Sequence, residues 1–237
     1  MLREAIRFLG PLRPLAKRST RLFFPRYSWF LDRLNWEARL NATVKEFPSA
    51  IELGSREDLY RHVSDTLVGR GDNADQAIDY LEFGVFEGAS IGQWCALNQN
   101  PGSRFFGFDS FEGLPEDWHS GKRRGAFSTD GKLPGIADSR VSFVAGWFQQ
   151  SLRSFMASYH SQSQLVLHVD CDLYSSTLYC LTTLDPVISP GTLIVLDDFF
   201  DALHVYRALT DYCSAYLRQY KILARTHELG QVAIIML

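Results

Sequence analysis

The sequence predicts an α/β fold, a doubly wound parallel sheet with helices on both faces, and three observations predict it. Short apolar runs alternate with helical patterns five times from Ile78 onward. Such alternation is the mark of a parallel sheet whose crossover helices are right-handed. The first run ends in "LEFGVFEG", with Gly84 at the strand end and Gly88 at the helix start, where backbone can approach a ligand. The last two runs, "KILART" and "QVAIIML", are separated by "HELG" and read as a closing antiparallel hairpin.

Taken in order, "SREDLYRHVSDTLV" reads as a helix capped by Ser55, with Asp58 three residues on. Strand Ile78–Gly84 is followed by helix Ala89–Asn98, and strand Arg104–Asp109 comes next. Strand Arg140–Gly146 precedes a helix over "FQQSLRSFMASYH". Strand Gln164–Asp170 leads into a helix from Ser175 to about Leu184, and strand Gly191–Asp197 into a long helix over Asp201–Gln219. These assignments rest on period-2 and period-3.6 apolar spacing and on the turn residues between runs.

Composition narrows the function. A chain of 237 residues, 46% hydrophobic and 22% charged, suits one large domain with a small appendage. A net charge of -3 argues against a dedicated nucleic-acid binder. Residues 1–45 nevertheless carry ten Lys and Arg against three acids, so a +7 segment precedes a body of -10. Residues 1–50 are therefore read as a basic helical arm and 51–237 as the functional domain. The arm has three readings: a lid or homodimer element, a basic-aromatic patch for an anionic membrane surface, or a disordered or targeting segment. No apolar run reaches the ~20 residues that span a bilayer. Charges interrupt any secretory signal, and Cys95, Cys171, Cys180 and Cys213 form no C-x-x-C pair. A cytoplasmic protein with reduced thiols is expected.

The candidate site residues cluster at strand ends. Phe86 occupies the place of the second glycine of a dinucleotide fingerprint, which counts against a pyrophosphate on that turn. Glu82, two residues before Gly84, suits a cationic ligand group such as a methionine ammonium. Asp109, 25 residues after Gly84, suits the two hydroxyls of a ribose. Two further apolar runs end in acids, Asp170 and Asp172 in "HVDCD", Asp197 and Asp198 in "LDD". These either end strands at the surface or meet around a hard cation.

"LEFGVFEG", "FDSFEGLPEDW", "VSFVAGWFQQSL", "HVDCDLYSST" and "SPGTLIVLDDF" occur in that order, from about Tyr80 to Phe199. Together they resemble the macrocin-type sugar O-methyltransferases, a class I family. The resemblance implies S-adenosylmethionine over the first two strands, beside Glu82, Gly84, Glu87, Gly88, Ser90, Asp109, Ser110, Gly146 and Trp147. It also implies a magnesium ion held by Asp170, Asp197 and Asp198, with Asp172 as an alternative ligand, and a sugar or glycan hydroxyl as methyl acceptor. Asp170 and His168 are the candidate bases, with His119 a further one; Tyr174 and Ser176 are read as helix caps. Cys171 stands where the family often has glycine, which reduces local backbone freedom. Lys122, Arg123 and Arg124 fall in a segment short for a macrolide-sugar lid, and suggest an acidic acceptor. A non-catalytic scaffold and a nucleotide-dependent oxidoreductase are the competing classes.

Overall fold

The computed structural model describes residues 13–68, 76–119 and 121–237, and for 13–27 the backbone alone. Its elements are helix α1 (Arg13–Glu46), β1 (Ile51–Leu53), α2 (Arg56–Val68), β2 (Ile78–Phe83) and α3 (Ala89–Leu97). Then come β3 (Arg104–Asp109), β4 (Val141–Ala145), α4 (Phe148–Met156), β5 (Gln164–Val169), α5 (Tyr174–Leu184), β6 (Leu193–Asp197), α6 (Val205–Tyr216), β7 (Tyr220–Thr226) and β8 (Gln231–Met236). The eight strands form one sheet in the order β1-β7-β8-β6-β5-β2-β3-β4. Strand β8 runs antiparallel to both of its neighbours, and the other pairings are parallel.

The expected doubly wound sheet and closing hairpin are therefore present. The order reverses between β2 and β5, where a parallel sheet opens its ligand crevice. Strands β5 and β6 are neighbours, paired from Val166–Leu193 to Val169–Leu196, so both acid-bearing runs end side by side.

Alternation along the strands builds two cores. Leu81, Phe83, Leu167, Val169, Ile194 and Leu196 face one side, packed with Leu152 of α4, Leu181 of α5 and Leu209 of α6. Tyr80, Val166, Leu193 and Val195 face the other, against Leu59 and Tyr60 of α2 and Trp94 of α3. Glu82, His168 and Asp197 continue the second set at period 2, so the sheet aims them at α2 and α3.

Three local differences have physical reasons. Strand β1 has three residues and no alternation to read; it exists because β7 pairs with it, Ile51 to Ala224 and Leu53 to Thr226. Helix α6 starts at Val205 rather than near Asp201, because Asp201 is spent in a turn, accepting from Leu203 N at 3.2 Å and from the Trp118 indole at 2.9 Å. Helix α1 is not wholly separate from the body. Trp36 and Leu40 are buried in the first core, Trp36 packs edge-on to Tyr206 at 6.1 Å, and Thr43 shares a 2.8 Å hydrogen bond with the Tyr206 hydroxyl. Residues 28–35 are exposed along their whole length.

Candidate active site at the strand ends

The carboxyl ends of β2, β3, β5 and β6 open into a cavity of about 490 Å³. Glu82 and the Gly84–Glu87 turn line it after β2, and Asp109 and Ser110 after β3. Trp147, Phe148 and Gln149 wall it at the start of α4; Asp170, Cys171, Asp172 and Asp198 close the β5 and β6 side. Leu114, Pro115, Trp118 and Phe127 form a roof, and Arg56 enters from α2.

Gly84 has no room for a side chain. Its φ is +90°, and a Cβ there would lie 1.7 Å from the Asp170 carbonyl oxygen. Gly84 N donates to Phe108 O and Asp170 N to Phe83 O, both at 2.9 Å, so the ends of three strands are tied at this point. Gly88 opens α3 at φ +83°, and a Cβ there would meet Pro134 at 2.7 Å.

Asp109 braces the same turn. Its Oδ2 accepts from Val85 N (2.8 Å) and Phe86 N (2.9 Å), and its Oδ1 from Phe111 N (2.8 Å). Phe86 sits at φ +51°, a costly conformation for a bulky residue, and these bonds hold it there. Asp109→Ala should weaken S-adenosylmethionine binding by about 1.5–3 kcal/mol, the scale of a hydrogen bond to a charged group. It should also loosen the turn. Calorimetric titration and amide exchange at Val85 and Phe86 check both.

Beneath the cavity lies a buried polar network. Tyr80 donates to Glu82, and Tyr60 donates to Ser90 Oγ at 3.2 Å. With both hydroxyl protons spent, the phenol oxygens are acceptors for His168, whose Nδ1 lies 2.8 Å from Tyr80 and Nε2 3.3 Å from Tyr60. Both ring nitrogens then donate, which requires an imidazolium. The flanking charges agree: Glu82 is 3.4 Å from Nδ1 and Asp197 3.8 Å from Nε2. Burial lowers the His168 pKa, but hydrogen bonds and charge from Asp197 and Glu82 outweigh it and hold it up at about 9. Burial raises Asp197, yet His168, Asp170 and Arg56 hold it down at about 2.

The carboxylates form two overlapping groups: Asp170 with Asp172 and Asp198, and Asp170 with His168 and Asp197, the ligand atoms of each within 4.8 Å. The expected trio of Asp170, Asp197 and Asp198 is thus not the one that faces the cavity. Asp197 turns to α2, where Arg56 Nη2 donates to its Oδ2 at 2.7 Å. Asp172 and Asp198 are turned into the cavity by left-handed backbone, φ +58° and +49°. This also answers the expectation about Cys171: the left-handed residue of that turn is Asp172.

The donor set fits a hard divalent cation, being all carboxylate oxygens. Burial, then Asp197, lifts Asp170 well above the carboxylate range; burial, then Asp198, lifts Asp172 to about 8; burial, then Asp197, raises Asp198. Asp197 Oδ1 is buried with no protein donor, an atom that a proton on Asp170 or a cation nearby would satisfy. A carboxyl whose pKa is raised by folding stabilises the fold at low pH and loses that contribution as pH passes its folded value. Raised His168 acts in the same direction. Without metal, the melting temperature should therefore fall from about pH 4 towards pH 9, the window set by Asp172 and His168. Magnesium at a hundred times its dissociation constant should add about 2.7 kcal/mol, or about 5–10 °C, and most at the alkaline end. Thermal melts across that window, with chelator or magnesium, check the prediction.

Most residues expected around the cofactor line the cavity: Glu82, Gly84, Glu87, Ser90, Asp109, Ser110 and Trp147. Gly88 and Gly146 shape the backbone behind it, Gly146 N donating to Asp109 O at 2.9 Å. Asp170 lines it and His168 does not. His119 is exposed in a hairpin paired with Lys122. Neither Tyr174 nor Ser176 caps α5, whose N-cap is Leu173 without a side-chain bond; Ser176 lines the cavity, and Tyr174 bonds Asp211 at 3.0 Å. Sequence reasoning missed Arg56, whose contact with Asp197 spans 141 residues.

A sheet of this order, parallel but for β8, with a glycine turn at its switch point and carboxylates at the neighbouring strand ends, has the class I methyltransferase architecture. Residues 81–199 match the family described as methyltransferase domain, and the chain belongs to it. It is 32% identical over 154 residues to the 8-demethyl-8-(2,3-dimethoxy-alpha-L-rhamnosyl)-tetracenomycin-C 4'-O-methyltransferase of Streptomyces olivaceus, 54% of this chain and 58% of that protein. It is 31% identical over 126 residues to the demethyldecarbamoylnovobiocin O-methyltransferase of Streptomyces niveus, 44% of this chain and 47% of that protein. The matches thus span about half the length of these curated relatives. In fold it is similar to the O-methyltransferase NovP, with a TM-score of 0.57 at 22% identity, covering 88% of this chain and 98% of that one.

Proposed function

We propose that the protein is an S-adenosylmethionine-dependent, magnesium-assisted O-methyltransferase acting on a hydroxyl of a sugar or glycoside. One observation carries the reading: a single cavity joins the Gly84–Asp109 turn to three converging carboxylates, Asp170, Asp172 and Asp198. When bound, S-adenosylmethionine supplies an electrophilic methyl group, and magnesium lowers the cost of removing the acceptor's proton. Glu82 would meet the donor's ammonium, and Asp109 its ribose. Trp147 and Phe148 would flank the adenine. Asp170, Asp172 and Asp198 would hold the ion, and Asp170 would take the hydroxyl proton as the acceptor oxygen bonds the methyl carbon and the methyl–sulfur bond breaks, the electron pair staying on sulfur in the departing S-adenosylhomocysteine. His168, clamped as an imidazolium, helps keep Asp197 ionised and holds Glu82 in place; it does not line the cavity to act as a base.

The acceptor enters under the hairpin that carries Trp118 and Phe127. Trp118 N donates to Lys122 O at 3.0 Å, Leu114 N to Ala126 O at 2.9 Å, and the Lys122 ammonium lies 4.3 Å above the Phe127 ring. Lys122, Arg123 and Arg124 on this hairpin favour an acceptor with an acidic group, such as a phosphate or uronic acid, on a polysaccharide or glycolipid. Calorimetry with S-adenosylmethionine and with NAD tests the cofactor class. Micromolar binding of the first alone supports it, and preference for NAD rejects it.

The arm, residues 1–50, is proposed as an appendage to the domain over 51–237, covering the acceptor side, a second copy or an anionic membrane. No helix among the described residues is long and apolar enough to cross a membrane. Deleting residues 1–45 should leave the sheet folded but lower the melting temperature, because Trp36 and Leu40 leave the core. Light scattering and binding to anionic vesicles separate the dimer from the membrane role.

A further inference from the structure

Arg56 lies outside the stretch matched to the family, and among the described residues lining the cavity it is the one Lys, Arg or His. It is the first residue of α2, whose start is fixed by Ser55: the Ser55 hydroxyl accepts from Asp58 N at 3.1 Å and donates to Asp58 Oδ2 at 2.8 Å. The guanidinium is oriented by its Nη2 donating to Asp197 Oδ2 at 2.7 Å. Asp197 is nearly inaccessible, whereas the Arg56 side chain keeps 38% of its surface exposed. A guanidinium has five N–H donors in a rigid fork, so the bond to Asp197 leaves most of them for a second anion.

The acid opposite is Glu82. Glu82 and His168 are register partners on β2 and β5. His168 bridges Glu82 at 3.4 Å to Asp197 at 3.8 Å, and Asp197 holds Arg56. An acid and a cation are therefore fixed by one chain of contacts and both reach the same cavity. A free amino-acid group, with its ammonium and carboxylate on one carbon, calls for that pairing. Burying the ammonium against Glu82 without a partner for the carboxylate would leave a desolvated anion beside Asp170 and Asp172.

We propose that Arg56 binds the carboxylate of the methyl donor's methionine end, making a salt-bridged fork between that group and Asp197. The proposal rests on the reading of the cavity as an S-adenosylmethionine site. It gives α2, which lies outside the matched stretch, a direct part in selecting an intact amino-acid end on the donor.

The test is a calorimetric comparison of S-adenosylmethionine with its decarboxylated analogue, which keeps the sulfonium, the ammonium and the adenosine. The wild-type protein should prefer S-adenosylmethionine by about tenfold or more, the scale of a charge-assisted bond. In Arg56→Gln that preference should vanish, with affinity for the decarboxylated ligand within about twofold of wild type. Arg56→Lys, which retains a cation beside Asp197, should recover part of the preference and serves if the glutamine variant does not fold. A wild-type preference that persists unchanged in the folded variant overturns the proposal. Equal binding of both ligands by the wild type overturns it while leaving the cofactor reading intact. Failure of the wild type to bind either ligand rejects the cofactor reading, and this proposal with it.

Discussion

Asp198→Asn should lower the rate of methyl transfer about 100-fold or more, equivalent to about 2.7 kcal/mol in the barrier, with S-adenosylmethionine affinity nearly unchanged. The substitution keeps the size and the left-handed backbone, since asparagine tolerates the φ of +49° seen at Asp198. What it removes is one negative charge from the Asp170–Asp172–Asp198 group. In the metal-free state that charge repels its neighbours. The variant should therefore melt no lower than wild type in chelator, yet gain less from magnesium. Asp197→Asn should behave differently. Asp197 pairs with Arg56 and His168 on the α2 side of the sheet. Its loss leaves two buried or half-buried cations less compensated, so stability and donor binding should fall together. Initial rates at saturating magnesium, with melts in chelator, separate the two variants. A neutral Asp198→Asn beside a metal-blind Asp197→Asn would move the ion to Asp197.

Among the described glycines, an added methyl should be most damaging at Gly84 (Gly84→Ala). The added Cβ would stand 1.7 Å from the Asp170 carbonyl oxygen, a backbone atom with no side-chain freedom to yield. The φ of +90° adds about 1–3 kcal/mol of conformational strain by itself. Relief requires β2 and β5 to part where Gly84 N and Asp170 N are both hydrogen-bonded. The melting temperature should drop by about 10 °C or more, corresponding to a loss of about 3 kcal/mol or more. Any folded fraction should also lose its thermal response to magnesium, because Asp170 moves. Scanning calorimetry with and without magnesium checks both. A variant that melts like wild type would mean that the strand ends are not in contact as described.

Much of this architecture was legible in the sequence because its information is local. Period-2 runs marked β2, β3, β5 and β6 to within a residue or two, and the acids at their ends marked the cavity. What stayed hidden was not periodic. The aspartates cluster as they do because Asp172 and Asp198 take left-handed turns while Asp197, still in the strand, follows the alternation to the α2 face. Spacing alone carries no φ values, so it could not choose between Asp172 and Asp197. The same alternation puts His168 under the cavity, close to Asp170 but outside the lining that Asp170, past the strand end, reaches. Arg56 belongs to a contact between distant elements, and β1 to a pairing decided by its partner strand. The arm read as separate because its basic composition changes near residue 45, although Trp36 and Leu40 are already core.

The most direct test is transfer of a labelled methyl group from S-adenosylmethionine to a panel of sugars, nucleotide sugars, uronic acids and glycolipids, in chelator and in magnesium. The account predicts a methyl ether on a sugar oxygen of at least one acceptor, formed with magnesium, lost in chelator and restored when the ion is returned. Equal turnover of a competent acceptor in chelator and in magnesium would contradict the assignment of Asp170, Asp172 and Asp198 to a metal.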